Sequence, residues 1–105
     1  MQIGNYNFDN PVPLMNFNSV NQAAIYAILG KNFDGNFTLI YIGESSELGT
    51  RIDTSHHKYR AWLNNYSLAN LFVSILWTPS KVCSKQQRFA LESELINLYN
   101  PICNG

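Results

Sequence analysis

The alternation of apolar and polar positions predicts three strands and two helices. Apolar, β-branched runs predict strands over residues 23–30, 37–43 and 70–77. A spacing near 3.6 residues predicts helix from residue 46 to about 66, and again over 84–99. The predicted order is β-β-α-β-α, which indicates an α/β domain with a three-stranded, mainly antiparallel sheet flanked by helices.

The first two predicted strands are joined by Asp34-Gly35, a dipeptide typical of two-residue hairpin turns. With that turn, Tyr26 pairs with Gly43 across the hairpin. Because side chains alternate along a strand, Tyr26 and Tyr41 then share one face as diagonal neighbours. A register displaced by one residue would put the two tyrosines on opposite faces.

Residues 1–20 show neither a helical stripe nor a clean alternation, and they contain Pro11 and Pro13. We expect them to form an irregular extension whose aromatic side chains pack on a single domain over residues 21–105. Neither an internal repeat nor a long linker divides that domain.

The size and composition are those of one small folded domain. The chain has 105 residues, of which 46% are hydrophobic and 13% aromatic. No apolar run approaches the ~20 residues of a membrane span, and the N-terminus lacks the pattern of a signal peptide. We therefore expect a cytoplasmic protein with no membrane partner. Cys83 and Cys103 flank a predicted helix too long for a disulfide, so we expect free thiols.

The formal net charge is zero, which disfavours a large basic surface that binds nucleic acid strongly. The basic residues are nevertheless unevenly distributed. If two short segments are neighbours in the fold, one face is locally positive, because these segments hold six of the seven basic residues: Arg51, Lys58, Arg60, Lys81, Lys85 and Arg88.

The turn after residue 43 places Tyr41 near a strand end and Arg51 about one and a half turns into the next predicted helix. A half-buried tyrosine and a solvated arginine are the ordinary alternative. His56 and His57 follow, but in an unbroken helix neither shares the face of Arg51. A functional histidine here requires the helix to bend or end near residue 55; otherwise both are surface residues.

Glu92 is the most informative single residue, because three of its four near neighbours on the last predicted helix are apolar. A carboxylate in that setting must find a partner, bind a metal or have its pKa raised. Arg88, four residues earlier, is the ordinary partner. Asn104, past the helix end, carries no signal alone.

In their order along the chain, these residues resemble the GIY-YIG nuclease family. Ala-Ile-Tyr at 24–26 is similar to its first triplet, and Tyr-Ile-Gly at 41–43 matches the second. Arg51 stands where the family has an arginine on the next helix. Residues 92–104 match a late motif, Glu-x-x-Leu-Ile-x-x-Tyr-x-Pro-x-x-Asn. The resemblance spans residues 23–104 and implies a small GIY-YIG-like domain.

The resemblance implies a metal-dependent endonuclease that hydrolyses phosphodiester bonds in DNA. Glu92 would hold a divalent cation, Mg²⁺ or Mn²⁺, that neutralises the leaving oxygen. Arg51 would clamp the non-bridging oxygens in the transition state. Because no recognition domain is evident, sequence specificity would need a partner protein or a second copy of the chain.

The resemblance also implies which groups handle the proton. Tyr26 or Tyr41 would position a water molecule and accept its proton, and His57 is an alternative base. A phenol with a pKa near 10 needs a neighbouring cation to act at neutral pH. Asn104 would hydrogen-bond to hold the site in shape.

One departure from the family pattern supports a second hypothesis. Glu44 stands where excision-repair members have a phosphate-holding lysine, so we expect a carboxylate that faces the incoming phosphate. With zero net charge, this favours a catalytically weak or inactive module of the same fold that binds nucleic acid or protein. A third hypothesis is an unrelated small α/β domain whose matches arise by chance.

Overall fold

The computed structural model describes residues 1–17, 22–46, 52, 56–78 and 83–104. These residues form a four-stranded antiparallel sheet, a separate two-stranded hairpin and two α-helices. In chain order, the elements are β1 (Gln2–Ile3), β2 (Tyr6–Asn7), β3 (Val12–Pro13), β4 (Ala24–Lys31), β5 (Phe37–Ser45), α1 (Tyr59–Asn65), β6 (Leu71–Trp77) and α2 (Lys85–Tyr99).

The main sheet has the strand order β3-β6-β4-β5, and all its pairings are antiparallel. From β4 onward the order is β-β-α-β-α, as predicted. The predicted three-stranded sheet is wrong, because β3 pairs with β6 and adds a fourth strand. Regular structure therefore extends into residues 1–20, which were expected to be irregular. A two-residue strand that contains Pro13 has too little alternation to be detected in the sequence.

The turn of the β4–β5 hairpin differs from the predicted one. Asn32 N–H donates to the Asn36 carbonyl at 2.8 Å, and Gly35 N–H donates to the Asn32 carbonyl at 3.0 Å. The loop therefore has three residues instead of the two in Asp34-Gly35. Gly35 has a φ of +87°, the left-handed conformation that such three-residue loops require.

A β-bulge corrects the register between this turn and the open end of the hairpin. Next to the turn, the longer loop shifts the pairing by one residue, so that Leu29 pairs with Leu39. Ile28 then pairs with Tyr41, which leaves Ile40 as an unpaired extra residue in β5. Beyond the bulge, Tyr26 pairs with Gly43, as predicted. The predicted pairing is thus correct at this end, although the predicted turn is not.

Both faces of the sheet are covered, and the two core layers follow the alternation of side chains along β4. One layer packs around the fully buried Trp62 of α1 and includes Tyr26, Ile28, Tyr41 and Val73. The other packs around Leu95 of α2 and includes Ile3, Phe8, Ile25, Ala27 and Ile42. The helices and the N-terminal hairpin thus supply the packing that makes β4 almost wholly buried.

The last predicted helix is confirmed at both ends. Ser84 Oγ accepts from Gln87 N–H at 3.1 Å, and Ser84 N–H donates to Gln87 Oε1 at 2.7 Å, which forms a capping box. Asn100 ends the helix in a left-handed conformation with φ of 47°. Cys83 and Cys103 are both free thiols, as predicted.

The helix predicted from residue 46 is shorter in the described part of the chain. There it covers only Tyr59–Asn65, and His56 lies before its start. His56 therefore lies outside α1, so the geometry of an unbroken helix does not apply to it. Residues 47–51 and 53–55, including Arg51, lie outside the described residues. Over the part of the chain described, no helix has the length and apolar character needed to cross a membrane.

Candidate active site

Tyr26 and Tyr41 lie on one face of the β4–β5 hairpin, with their ring centroids 6.0 Å apart. The lack of a side chain at Gly43 makes this arrangement possible. A Cβ atom there would lie 2.3 Å from Cζ and 2.4 Å from Oη of Tyr26, far closer than atoms can pack. The ring of Tyr26 therefore lies directly over Gly43, which explains why the second triplet of the sequence ends in glycine.

His56 makes the hydrogen bond that fixes the Tyr26 hydroxyl, with 2.7 Å between Nε2 and Oη. Lys58 N–H donates to His56 Nδ1 at 3.0 Å, so Nδ1 carries no proton. In the neutral ring Nε2 is then the donor, and the Tyr26 oxygen accepts. The proton of Tyr26 remains available to Tyr41, with which it hydrogen-bonds.

Tyr41 is the last residue in a series of hydrogen bonds that runs from His56 through Tyr26, and its oxygen is the acceptor. Burial raises the pKa of Tyr41, the hydrogen bond from Tyr26 opposes that rise, and the negative charge of Glu92 adds to it. Trp62 packs against the rings of both Tyr41 and His56, with centroid distances of 5.5 and 4.6 Å. The rings of Tyr26, His56 and Trp62 thus surround Tyr41, whose oxygen accepts the hydrogen bond from Tyr26.

Glu92 of α2 lines the same cleft as the two tyrosines. Burial raises the pKa of Glu92, the nearby charge of Glu44 raises it further, and a hydrogen bond from the Glu44 backbone N–H opposes both. The partner expected from helix geometry, Arg88, does not take this role among the described contacts. Glu92 therefore lines the cleft close to Tyr41, in surroundings that disfavour its ionised form.

Arg88 instead pairs with Glu44, with 2.9 Å between Nε and Oε2. The side chain of Arg88 is 3% exposed and that of Glu44 is 15% exposed, so little water reaches the pair. Glu44 does line the cleft, but the sequence did not predict its ion pair with Arg88. Glu44 contacts α2 twice, through its carboxylate to Arg88 and its backbone N–H to Glu92.

Asn104 binds the outer edge of β5 with both ends of its amide. Its Oδ1 accepts from Ile42 N–H at 2.9 Å, and its Nδ2 donates to the Ile42 carbonyl at 2.8 Å. Cys103 N–H donates to the Ile40 carbonyl at 2.9 Å. Because Ile42 separates Tyr41 from Gly43, these bonds hold the strand in place beside both residues.

The cleft has a volume of about 520 Å³ and brings together Tyr26, Tyr41, His56, His57 and Glu92. His57 is exposed and stacks on His56, with 4.6 Å between centroids and 15° between planes. The bond to Tyr26 therefore comes from His56, which the sequence interpretation did not select. Only the position of the helix start could have separated the two histidines, and sequence patterns do not locate helix ends to one residue.

No metal-binding group of three or more His, Cys, Asp or Glu side chains occurs among the described residues. Comparisons with protein-family models, curated proteins and solved structures find no significant match to this chain.

We predict that Gly43→Ala destabilises the protein by about 1–3 kcal/mol, because the added methyl group overlaps the ring of Tyr26. Removal of that ring by Tyr26→Ala should make the same substitution nearly neutral. Urea unfolding of the two single variants and the double variant measures this coupling. An equal cost of Gly43→Ala in both backgrounds would show that the ring does not occupy this position.

We predict that Glu44→Lys costs on the order of 3 kcal/mol of stability, because it places two cations in a nearly dry site. Replacing both partners, with Glu44→Leu and Arg88→Met, should recover most of the loss. The control is Glu94→Lys, at an exposed position of α2, which should change stability by less than about 0.5 kcal/mol. Equal unfolding free energies for Glu44→Lys and its control would rule out the buried pair.

Proposed function

We propose that this chain is a metal-dependent endonuclease of the GIY-YIG type that hydrolyses phosphodiester bonds in DNA. The observation that carries the proposal is the meeting of Tyr26, Tyr41 and Glu92 in one cleft. These residues come from two strands and a distant helix. A chance resemblance in sequence would not require the three to be neighbours in space, so their meeting supports the functional interpretation.

Glu92 is the residue that would hold Mg²⁺ or Mn²⁺. Burial and the charge of Glu44 disfavour its ionised form, and a divalent cation would relieve that penalty. Mg²⁺ binds through one or two carboxylates and keeps several of its waters, so a single carboxylate is a sufficient protein ligand. When bound, the cation would neutralise charge on the leaving oxygen.

The tyrosines supply the proton chemistry in this proposal. Tyr41, as phenolate, accepts the proton of a water molecule as the water oxygen attacks phosphorus and the bond to the leaving oxygen breaks. Tyr26 donates a hydrogen bond to the Tyr41 oxygen and so favours the phenolate. His56 holds Tyr26 in the orientation that makes this possible. We assign Arg51, from the sequence resemblance, to the non-bridging oxygens.

The second candidate function is binding of nucleic acid or protein without efficient cleavage. Burial raises the pKa of Tyr41, so at neutral pH its phenolate is scarce. The zero net charge also limits the affinity for a polyanion. Under this alternative the cleft binds a phosphate group but turns over slowly.

A cleavage assay distinguishes the two functions. The protein is incubated with supercoiled plasmid and with labelled single-stranded, duplex and branched DNA and RNA, in Mg²⁺, Mn²⁺ or EDTA. Nicking that depends on the metal is the result expected of the endonuclease. Binding of the same oligonucleotides without cleavage in either metal would favour the binding module. A second copy or a partner protein would then be tested as the source of specificity.

We predict that Glu92→Gln lowers the cleavage rate by at least about a hundredfold, because the amide keeps the shape of the side chain but loses its charge. Its fold should be intact, since the raised pKa of Glu92 means that neutralisation relieves a cost. Glu94→Gln, two residues along the same helix, is the matched control and should cleave normally. Equal rates for the two variants would remove Glu92 from the site.

A further inference from the structure

Phe89 and Lys85 form one rim of the cleft, and the proposed mechanism uses neither. Phe89 lies in the second turn of α2, and its side chain is 41% exposed despite being apolar. The Lys85 ammonium lies 5.6 Å from the centroid of its ring, a cation–π contact. We define these two side chains as the α2 rim.

The α2 rim is a positive edge of the cleft. α2 has 15 residues with no acidic side chain in its first turn, so the partial positive charge of its N-terminus is not neutralised there. Among the described residues Lys85 makes no ion pair. Glu44, the carboxylate on the adjacent wall, is paired with Arg88. An anionic group that enters at this edge therefore meets an ammonium group and an aromatic ring together.

The charge of the whole chain determines which nucleic acid this edge suits. Affinity for duplex DNA comes mainly from neutralised phosphates and released counterions, and a chain of zero net charge offers few such contacts. Stacking on an aromatic side chain adds affinity that does not depend on net charge. In a continuous duplex the faces of each base are already stacked on neighbouring bases, so only an unpaired base can use Phe89.

We propose that the α2 rim is a subsite for one unpaired nucleotide next to the phosphate that the cleft binds. In the complex, Lys85 leaves the ring of Phe89 to bind the phosphate of that nucleotide, and the base stacks on the ring in its place. The substrate is accordingly a single strand, or a branched nucleic acid with an unpaired nucleotide, in preference to continuous duplex. As a statement about the cleaved substrate this rests on the proposed function, whereas the binding preference can be measured without cleavage.

The test is fluorescence anisotropy in EDTA, with a labelled mixed-sequence single strand and the same strand in a blunt duplex. Wild-type protein should bind the single strand more tightly. Phe89→Ala should weaken that binding about tenfold, and Phe89→Tyr should retain it. Phe33→Ala is the matched control, because Phe33 is a fully exposed phenylalanine in the β4–β5 loop, outside the cleft. Lys85→Gln should reduce the slope of log affinity against log salt by about 0.7.

Equal affinity of the wild type for duplex and single strand would overturn the subsite, as would equal losses from Phe89→Ala and Phe33→Ala. Metal-dependent cleavage that Phe89→Ala leaves unchanged on every substrate would overturn the subsite while the proposed function stands. Selective loss of single-strand binding in Phe89→Ala, with no cleavage by the wild type, would support the subsite and overturn the proposed endonuclease. Thermal unfolding of each variant verifies that the fold is intact.

Discussion

The close approach of the Tyr26 ring to the backbone of Gly43 is the constraint on which the site depends. It requires Tyr26 and Gly43 to be directly opposite each other, so the hairpin must have one register at its open end. The bulge at Ile40 provides that register despite a longer turn. Asn104 then holds Ile42 beside it through two hydrogen bonds. The backbone pairing of the two strands therefore determines where the rings of Tyr26 and Tyr41 lie.

Glu92 lies on α2, and Glu44 joins that helix to the sheet. Its carboxylate binds Arg88 and its backbone N–H binds Glu92, so two successive turns of α2 are tied to the end of β5. The buried pair contributes position more than stability, because removing two charges from water offsets much of their attraction. An acid that looked unfavourable for phosphate binding in the sequence therefore has a structural role at the same site.

Local sequence patterns predicted the long strands, the capping box of α2 and the common face of Tyr26 and Tyr41, because these depend on period and nearest neighbours. The pairing of Tyr26 with Gly43 was predicted correctly, but from the wrong turn. The extra residue in the loop and the bulge at Ile40 cancel each other, and neither has a strong signal in the sequence. The Glu44–Arg88 pair links residues far apart in the chain, so no local pattern could indicate it. To choose between His56 and His57, the sequence would have to locate the start of α1, which periodicity does not do. Arg51 lies outside the described residues.

The proposed function depends most directly on our proposal that a divalent cation binds at Glu92, beside the tyrosine pair. NMR of tyrosine-labelled protein during Mn²⁺ titration tests it directly, because the paramagnetic ion broadens only nearby resonances. Of the six tyrosines, Tyr26 and Tyr41 should broaden first. Tyr6 is an internal control, since its hydroxyl lies 3.5 Å from the exposed carboxylate of Glu94. Broadening of Tyr6 ahead of Tyr26 and Tyr41, or of none of the three, would contradict a cation site in the cleft.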